Sequence, residues 1–392
     1  MRGINHRILP TWVPFVLGLV GCQGRPPDQS SEPSPASVAF AVYDAGETLA
    51  LLPVASRLRP ANIDIRWVPL TPWAADLLEA NGQAYHPLPD DIQDMPYVDG
   101  SRTDSADISY WVEGLLEDPP DLVVSGMVST VQGQVGAELR EARIVTRGYH
   151  DGFQPPDSTS ISAQVAGAFA AIWVPTARVQ EGYRTLGIEA VVAGQPSLEA
   201  WRRAATEVDA AEVRQIQGVG TGSSVLLFAG QYGEGYEEAL AAFLSSVRGS
   251  LSADSNLLLI LSHHPRTDGT LERRALEEAA ISRAVMALEG IPTMELATIA
   301  DVVLTWTSTV GVQAAFMGKP VVYFSPPGGF EPDLEEHGAA QVADEESLTS
   351  VLAGLMETKK SPESIRQILM NSGYVVDADS VIAEMVRKAM GG

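Results

Sequence analysis

Short apolar runs alternate with amphipathic stretches along most of the chain, and the two hydrophobic periods separate cleanly. SVAFAVYDAG (37–46) reads as a strand and Leu49 to Leu58 as a helix; IDIRWVPL (63–70) is a strand and Pro72 to Asn81 a helix. DPPDLVVSG (118–126) predicts another strand with a helix after it, and RIVTRG (143–148) leads into Tyr149-His150-Asp151-Gly152. AIWVP (171–175), a helix near Arg178 to Leu186, and EAVVAGQP (189–196) complete this half. The region from Glu207 to Ser224 is polar and Gly-rich, which places an interdomain connection there. The pattern then restarts with VLLFAG (225–230), a loop at Gln231 to Gly235, a helix with Leu240, Phe243, Leu244 and Val247 on one face, and a strand at Leu257 to Leu261. Helices around Glu345 to Met356 and Asp379 to Met390 follow. Such alternation predicts two α/β domains, each a parallel sheet covered by helices.

The segment Asp301 to Ser325 (DVVLTWTSTVGVQAAFMGKPVVYFS) carries the most chemistry. It reads as strand, tight turn, helix, turn and strand, with hydroxyls from Thr305 to Thr309 at the first turn and Gly318 and Pro320 stopping the helix. A helix start offers unpaired N–H groups and the positive end of a dipole, so this loop can hold a phosphate without a basic side chain. It also reads as an ordinary crossover whose Ser and Thr are caps.

Composition narrows the partners. The chain has 392 residues, 45% hydrophobic and 19% charged, enough for two folded domains. The formal net charge of −24 excludes nucleic acid as an electrostatic partner. Residues 1–21 hold Arg2 and Arg7 with an apolar run from Ile8 to Gly21, then Leu19-Val20-Gly21-Cys22, which resembles a bacterial lipobox. Cleavage there removes two positive charges and no acid, which takes the net charge to −26. Cys22 is the only cysteine, so no internal disulfide and no Cys-based metal site can form. The expectation is a lipoprotein anchored through Cys22 on the periplasmic or outer-membrane side of the envelope, with residues 22–37, rich in Pro and Ser, as a flexible tether. An uncleaved anchor is the other reading of the same segment.

Ligands of open α/β sheets sit beyond the carboxyl ends of the strands. There the second half offers Gln231, Tyr232, His264, Arg266, Thr307, Ser308 and Thr309, mostly neutral or cationic donors suited to phosphate. The first half offers Asp44, Glu47, Ser125, Ser129, Thr130, His150 and Asp151, which include carboxylates and a histidine suited to acid–base work. Asp151 before Gly152 also reads as a plain turn, Asp44 to Glu47 as a helix cap, His263 as packing, and Trp306 as a wall. Asp90 and Asp91 read as a solvated loop, and no metal site is expected.

Taken together, GQP (194–196), His264-Pro265, Ser308-Thr309 and Gly318-Lys319-Pro320 resemble the GT-B fold of glycosyltransferases over residues 38–390. The HP and Ser-Thr pairs are similar to those of bacterial sialyltransferases and polysialyltransferases, and their acidic-acidic-Gly motif reads His150-Asp151-Gly152 here. The resemblance implies an N-terminal acceptor domain (38–206), a linker (207–224) and a C-terminal donor-nucleotide domain (225–392). It implies that His264, Ser308 and Thr309, with Arg266 and Gln231, hold the donor phosphate, and that Asp151 with His150 serves the acceptor hydroxyl. Asp44 and Glu47 fall on the acceptor side. GT-B enzymes often bind the donor ribose through an acid in the 301–325 helix; Gln313 stands there, an altered nucleoside contact. The implied substrates are a nucleotide sugar and a glycan or lipid-linked acceptor, with no cofactor. Two alternatives remain: a non-catalytic surface lipoprotein that binds a glycan or phosphorylated ligand, and an enzyme like UDP-N-acetylglucosamine 2-epimerase. The latter needs several acids and a histidine on one sugar carbon, a set not evident in the sequence.

Overall fold

Val38 to Val42 are wholly buried, because the first strand lies in the middle of a parallel sheet covered on both faces, and this explains a run with no polar alternation. The computed structural model describes residues 35–93, 107–265, 267–325, 333–358 and 361–391. The expected export signal, Cys22, most of the tether, and Arg266 lie outside the described residues.

The first sheet contains β1 (Ser37–Val42), β2 (Asp64–Pro69), β3 (Leu122–Gly126), β4 (Val145–Tyr149), β5 (Ala171–Val174) and β6 (Ala190–Val192), all parallel, in the order β2-β1-β3-β4-β5-β6. The second contains β7 (Ser224–Ala229), β8 (Leu257–Ser262), β9 (Ala284–Met286), β10 (Val302–Thr305), β11 (Val321–Phe324) and β12 (Gln341–Ala343), also all parallel, in the order β12-β11-β10-β7-β8-β9. Strand order reverses between β1 and β3 and between β7 and β10. Crevices open at such reversals, beyond the carboxyl ends of the strands. These are the places where the carboxylates of the first half and the hydroxyls of the second were expected.

The chain passes between the two cores twice. Ala193 belongs to the core of the first sheet and Leu198 to that of the second, so the passage falls at Gly194-Gln195-Pro196, ahead of the polar stretch expected to form the link. That stretch instead carries the helix Ala210–Ile216, whose Val213 is buried in the second core. The return comes after Tyr374, which packs in the second core, and the last helix (Ala378–Gly391) places Ile382, Ala383 and Val386 against the first sheet. The sequence division had assigned this helix to the second half. Its apolar stripe fits the helix Ala45–Leu58, and Arg57 Nε sits 2.9 Å from Asp379 Oδ2. The two passages touch: a Cβ on Gly194, whose φ is +89°, would lie 2.6 Å from Cβ of Ala378. Only glycine combines that left-handed backbone with so close a neighbour.

The helices Thr270–Ala279, Thr293–Ile299 and Pro362–Asn371 and the three-residue strands β9 and β12 were not resolved by the sequence pattern. Among the described residues no helix is long and apolar enough to cross a membrane.

Candidate active site

The turn after β1 brings three carboxylates together. Asp44 caps the helix Ala45–Leu58, accepting from Gly46 N at 2.9 Å, and Glu47 completes the capping box by accepting from Asp44 N at 3.3 Å. Glu47 Oε1 also accepts from Tyr43 N and, at 2.6 Å, from Gln132 Nε2 on the helix after β3. Oε2 of this fully buried side chain has no partner among the described residues. Burial first, then the charges of Asp44 and Asp151, raise the Glu47 pKa well above the ordinary carboxylate value. Two glycines make room for the acids. A Cβ on Gly126 would lie 1.3 Å from Glu47 Oε2, and one on Gly46 would lie 2.2 Å from Asp151 Oδ2. Asp44, Glu47 and Asp151 are thus gathered at the β1/β3 reversal, a convergence that residue order had hidden.

Beyond β4, His150 accepts or donates at Nδ1 to the Tyr183 hydroxyl at 2.8 Å. Burial lowers its pKa to about 4, so the imidazole is neutral at ordinary pH. Asp151 follows it, and its carbonyl accepts from Gln195 Nε2 at 3.0 Å.

In the second half, Ser308 N donates to Thr305 Oγ1 at 3.3 Å, and Ser308 Oγ accepts from Val310 N at 3.2 Å. Thr309 stands exposed at the start of the helix Val310–Met317 and makes no side-chain cap. The turn is tight because Gly311 lies against Tyr323, where a Cβ would be 2.2 Å from the ring hydroxyl. Gln231 Nε2 donates to Thr307 Oγ1 at 3.1 Å, which ties the loop after β7 to the hydroxyl loop after β10. The Tyr232 and His264 rings lie 4.4 Å apart, and the His264 carbonyl accepts from Thr267 N at 2.9 Å. Behind this loop, the buried Glu272 accepts from the Tyr236 hydroxyl at 2.9 Å. His263 packs on Gly269, in keeping with a packing role.

A chain of hydrogen bonds joins the two halves of the site. Gln195 Nε2 holds the Asp151 carbonyl, Gln195 Oε1 accepts from Tyr149 Oη at 3.0 Å and from Ser197 N at 3.2 Å, and Ser197 Oγ accepts from Gln313 Nε2 at 3.2 Å. Gln313 lies on the helix that Thr309 opens. Phe153, two residues beyond Asp151, packs against the second core, 5.8 Å from the Tyr374 ring. The acid-bearing turn of one sheet therefore sits beside the hydroxyl-bearing helix of the other. The sequence reading quoted GQP but gave Gln195 no task; its position between two apolar cores was the available signal. Gln313, expected at a nucleoside, has its amide on Ser197 here.

Solved structures share this architecture. UDP-GlcNAc 2-epimerase from Neisseria meningitidis, bound to UDP-GlcNAc, superposes with a TM-score of 0.71 at 14% identity, over 90% of this chain and 100% of its own. The S. aureus MnaA-UDP complex gives 0.69 at 12% identity, over 90% and 96%. A glycosyltransferase from Rickettsia africae gives 0.66 at 11% identity, over 91% and 99%. The chain has the GT-B fold. A family model described as "Capsule polysaccharide biosynthesis protein" matches residues 221–327, which span β7 to β11 and hold the hydroxyl loop. No curated protein matches the sequence.

Proposed function

We propose that this GT-B protein moves a sugar from a nucleotide-activated donor to an acceptor hydroxyl in the crevice between the two sheets. The hydrogen-bonded path from the Asp151 carbonyl through Gln195 and Ser197 to Gln313 carries this reading, because it fixes the backbone of the acid-bearing turn against the helix whose start is suited to phosphate. In the proposed reaction the Asp151 carboxylate takes the acceptor proton as the acceptor oxygen bonds to the anomeric carbon. The bond from that carbon to the donor phosphate breaks, and its electron pair stays on the phosphate oxygen. Ser308, Thr309 and His264, with Gln231 beside them, donate to the charge that develops there, and Arg266, two residues after His264 in the chain, is assigned to the same phosphate. His150, neutral and held by Tyr183, fixes the turn that presents Asp151. Glu47, whose pKa burial and the neighbouring acids raise well above the ordinary carboxylate value, tempers the negative charge that the three carboxyls bring to the pocket. Export through the lipobox-like segment and lipidation at Cys22 belong to the same proposal, as does an acceptor at the cell envelope.

The convergence of Asp44, Glu47 and Asp151, with His150 next to Asp151 in the chain, favours a second reading, removal and return of a proton on a sugar carbon, as in a 2-epimerase. One assay separates them. Incubation with a panel of CMP-, CDP-, UDP- and GDP-sugars, with and without saccharide acceptors, is followed by chromatography. Acceptor-dependent release of one nucleotide, abolished by Asp151→Asn, supports transfer. An isomerised sugar still joined to its nucleotide supports epimerisation, and neither product from a well-folded protein rejects both in favour of a binding lipoprotein.

A further inference from the structure

A second cavity, of about 620 Å³, opens on the opposite end of the second sheet. Asp301 and Pro320 on its wall stand just before β10 and β11, whereas Thr309 follows the carboxyl end of β10. A four-residue strand, roughly 13 Å of backbone, separates the two. Arg202, Arg203, Lys319 and Arg366 line the cavity, four of its fourteen residues, in a chain with only 26 Lys and Arg among 392. Asp301 is the single carboxylate on the wall, and Val225 N donates to its Oδ2 at 2.9 Å.

We propose that this cavity binds a phosphate-bearing group independently of the crevice. The cations differ in how far the protein already uses them. Arg202 pairs with Glu199 at 2.7 Å, and Lys319 Nζ donates to the carbonyls of Thr298 at 2.7 Å and Ala300 at 3.0 Å. Arg366 pairs with Glu363 at 2.7 Å through Nη2, yet its Nε is buried with no partner among the described residues. Arg203 is exposed, and its side chain has no partner among the described residues. Glu199, Glu363 and the wall carboxylate Asp301 offset only part of the electrostatic cost of gathering four cations at one wall, and a guanidinium fork matches phosphate oxygens in pairs. The volume exceeds what a bare phosphate fills and falls in the range of small-molecule sites, so the group belongs to a larger molecule. The net charge of −24 repels anions at long range, so binding rests on these local donors.

The test is a calorimetric titration of the full chain with inorganic pyrophosphate, in a Thr309→Asp background that closes the crevice to phosphate by placing a carboxylate at the helix start. Flotation with phosphatidylglycerol vesicles, against phosphatidylcholine vesicles, runs in parallel. Saturable pyrophosphate binding, weakened at least tenfold by Arg203→Ala and abolished by Arg203→Glu, is the expected result. Arg203 is exposed, so the melting temperature stays unchanged. Arg366→Ala, which removes a different cation of the same wall, weakens the same binding. Retention only on phosphatidylglycerol vesicles, lost with Arg203→Glu, assigns the group to a lipid headgroup. Absence of both bindings, or binding that survives Arg203→Glu and Arg366→Ala, overturns the proposal.

Discussion

Gly46 separates function from stability at a single residue. Alanine there projects a Cβ to within 2.2 Å of Asp151 Oδ2 while sitting in the first turn of a helix that tolerates it. Gly46→Ala is expected to lower kcat/KM at least tenfold and to change unfolding free energy by under about 1 kcal/mol, compared by steady-state kinetics and urea melts. His150 gives a pH signature. Its folded-state pKa of about 4 lies below the ordinary 6.5, so the unfolded chain takes up the proton first. Stability contributed by the neutral form is complete above about pH 6.5 and is lost as pH falls toward 4. Urea midpoints measured from pH 7 to pH 4.5 should fall, and His150→Gln should flatten that limb. Glu47 has the opposite sign: its raised pKa makes the carboxyl most favourable at low pH and costly as pH rises. Glu47→Gln, which keeps the acceptor for Gln132 and Tyr43, should therefore gain stability relative to the native chain as pH rises. Glu47→Ala should cost about 2–4 kcal/mol by leaving those donors unpaired. The sequence made Asp44, Glu47 and Asp151 legible as candidates because each falls at a strand end. Their convergence was not legible, since it depends on two glycines, Gly46 and Gly126, whose missing side chains leave no periodic trace.

Among the elements, the passage at Gly194-Gln195-Pro196 does the joining. Gln195→Ala leaves Ser197 N and the Asp151 carbonyl without their partner, and Tyr149 Oη with only the Gly194 carbonyl at 3.5 Å. It is expected to cost about 2–4 kcal/mol and to reduce turnover as well. Gln313→Ala removes only the outer bond to Ser197 and should cost about 1 kcal/mol. Because both bonds converge on Ser197, the double variant should depart from additivity, and urea denaturation of all four proteins measures the coupling. Additive losses would mean that the path does not act as one unit. Long strands such as β1 and β7 were readable from continuous apolar runs, and the helix at 310–317 from its hydroxyl start and Gly318-Pro320 stop. The three-residue strands β9 and β12 lie at or toward the edges of their sheet, where a short segment with mixed burial shows no period. The last helix shows what a local pattern cannot convey: its stripe was evident, but its partners are the first sheet and the helix Ala45–Leu58, the latter more than three hundred residues earlier.

In the whole molecule, two switch-point crevices meet across one seam in a chain of net charge −24. Two α/β sheets are legible in the strand–helix pattern that restarts at Val225, and the GT-B resemblance came from the GQP, His-Pro, Ser-Thr and Gly-Lys-Pro motifs. Fold similarity at 11–14% identity leaves the chemistry to the site itself. Whether the crevice takes a nucleotide-linked sugar is tested by binding before any acceptor is known. Thermal unfolding is measured with CMP, CDP, UDP, GDP and ADP, for the native chain and for His264→Ala and Thr309→Asp. A ligand at a hundred times its dissociation constant stabilises by about 2.7 kcal/mol, a readily measured shift. A crevice built for a nucleotide-linked sugar gives such a shift for one nucleotide class and loses it in both variants. A native chain that melts cooperatively and responds to none of them, or a shift that both variants retain, would contradict it.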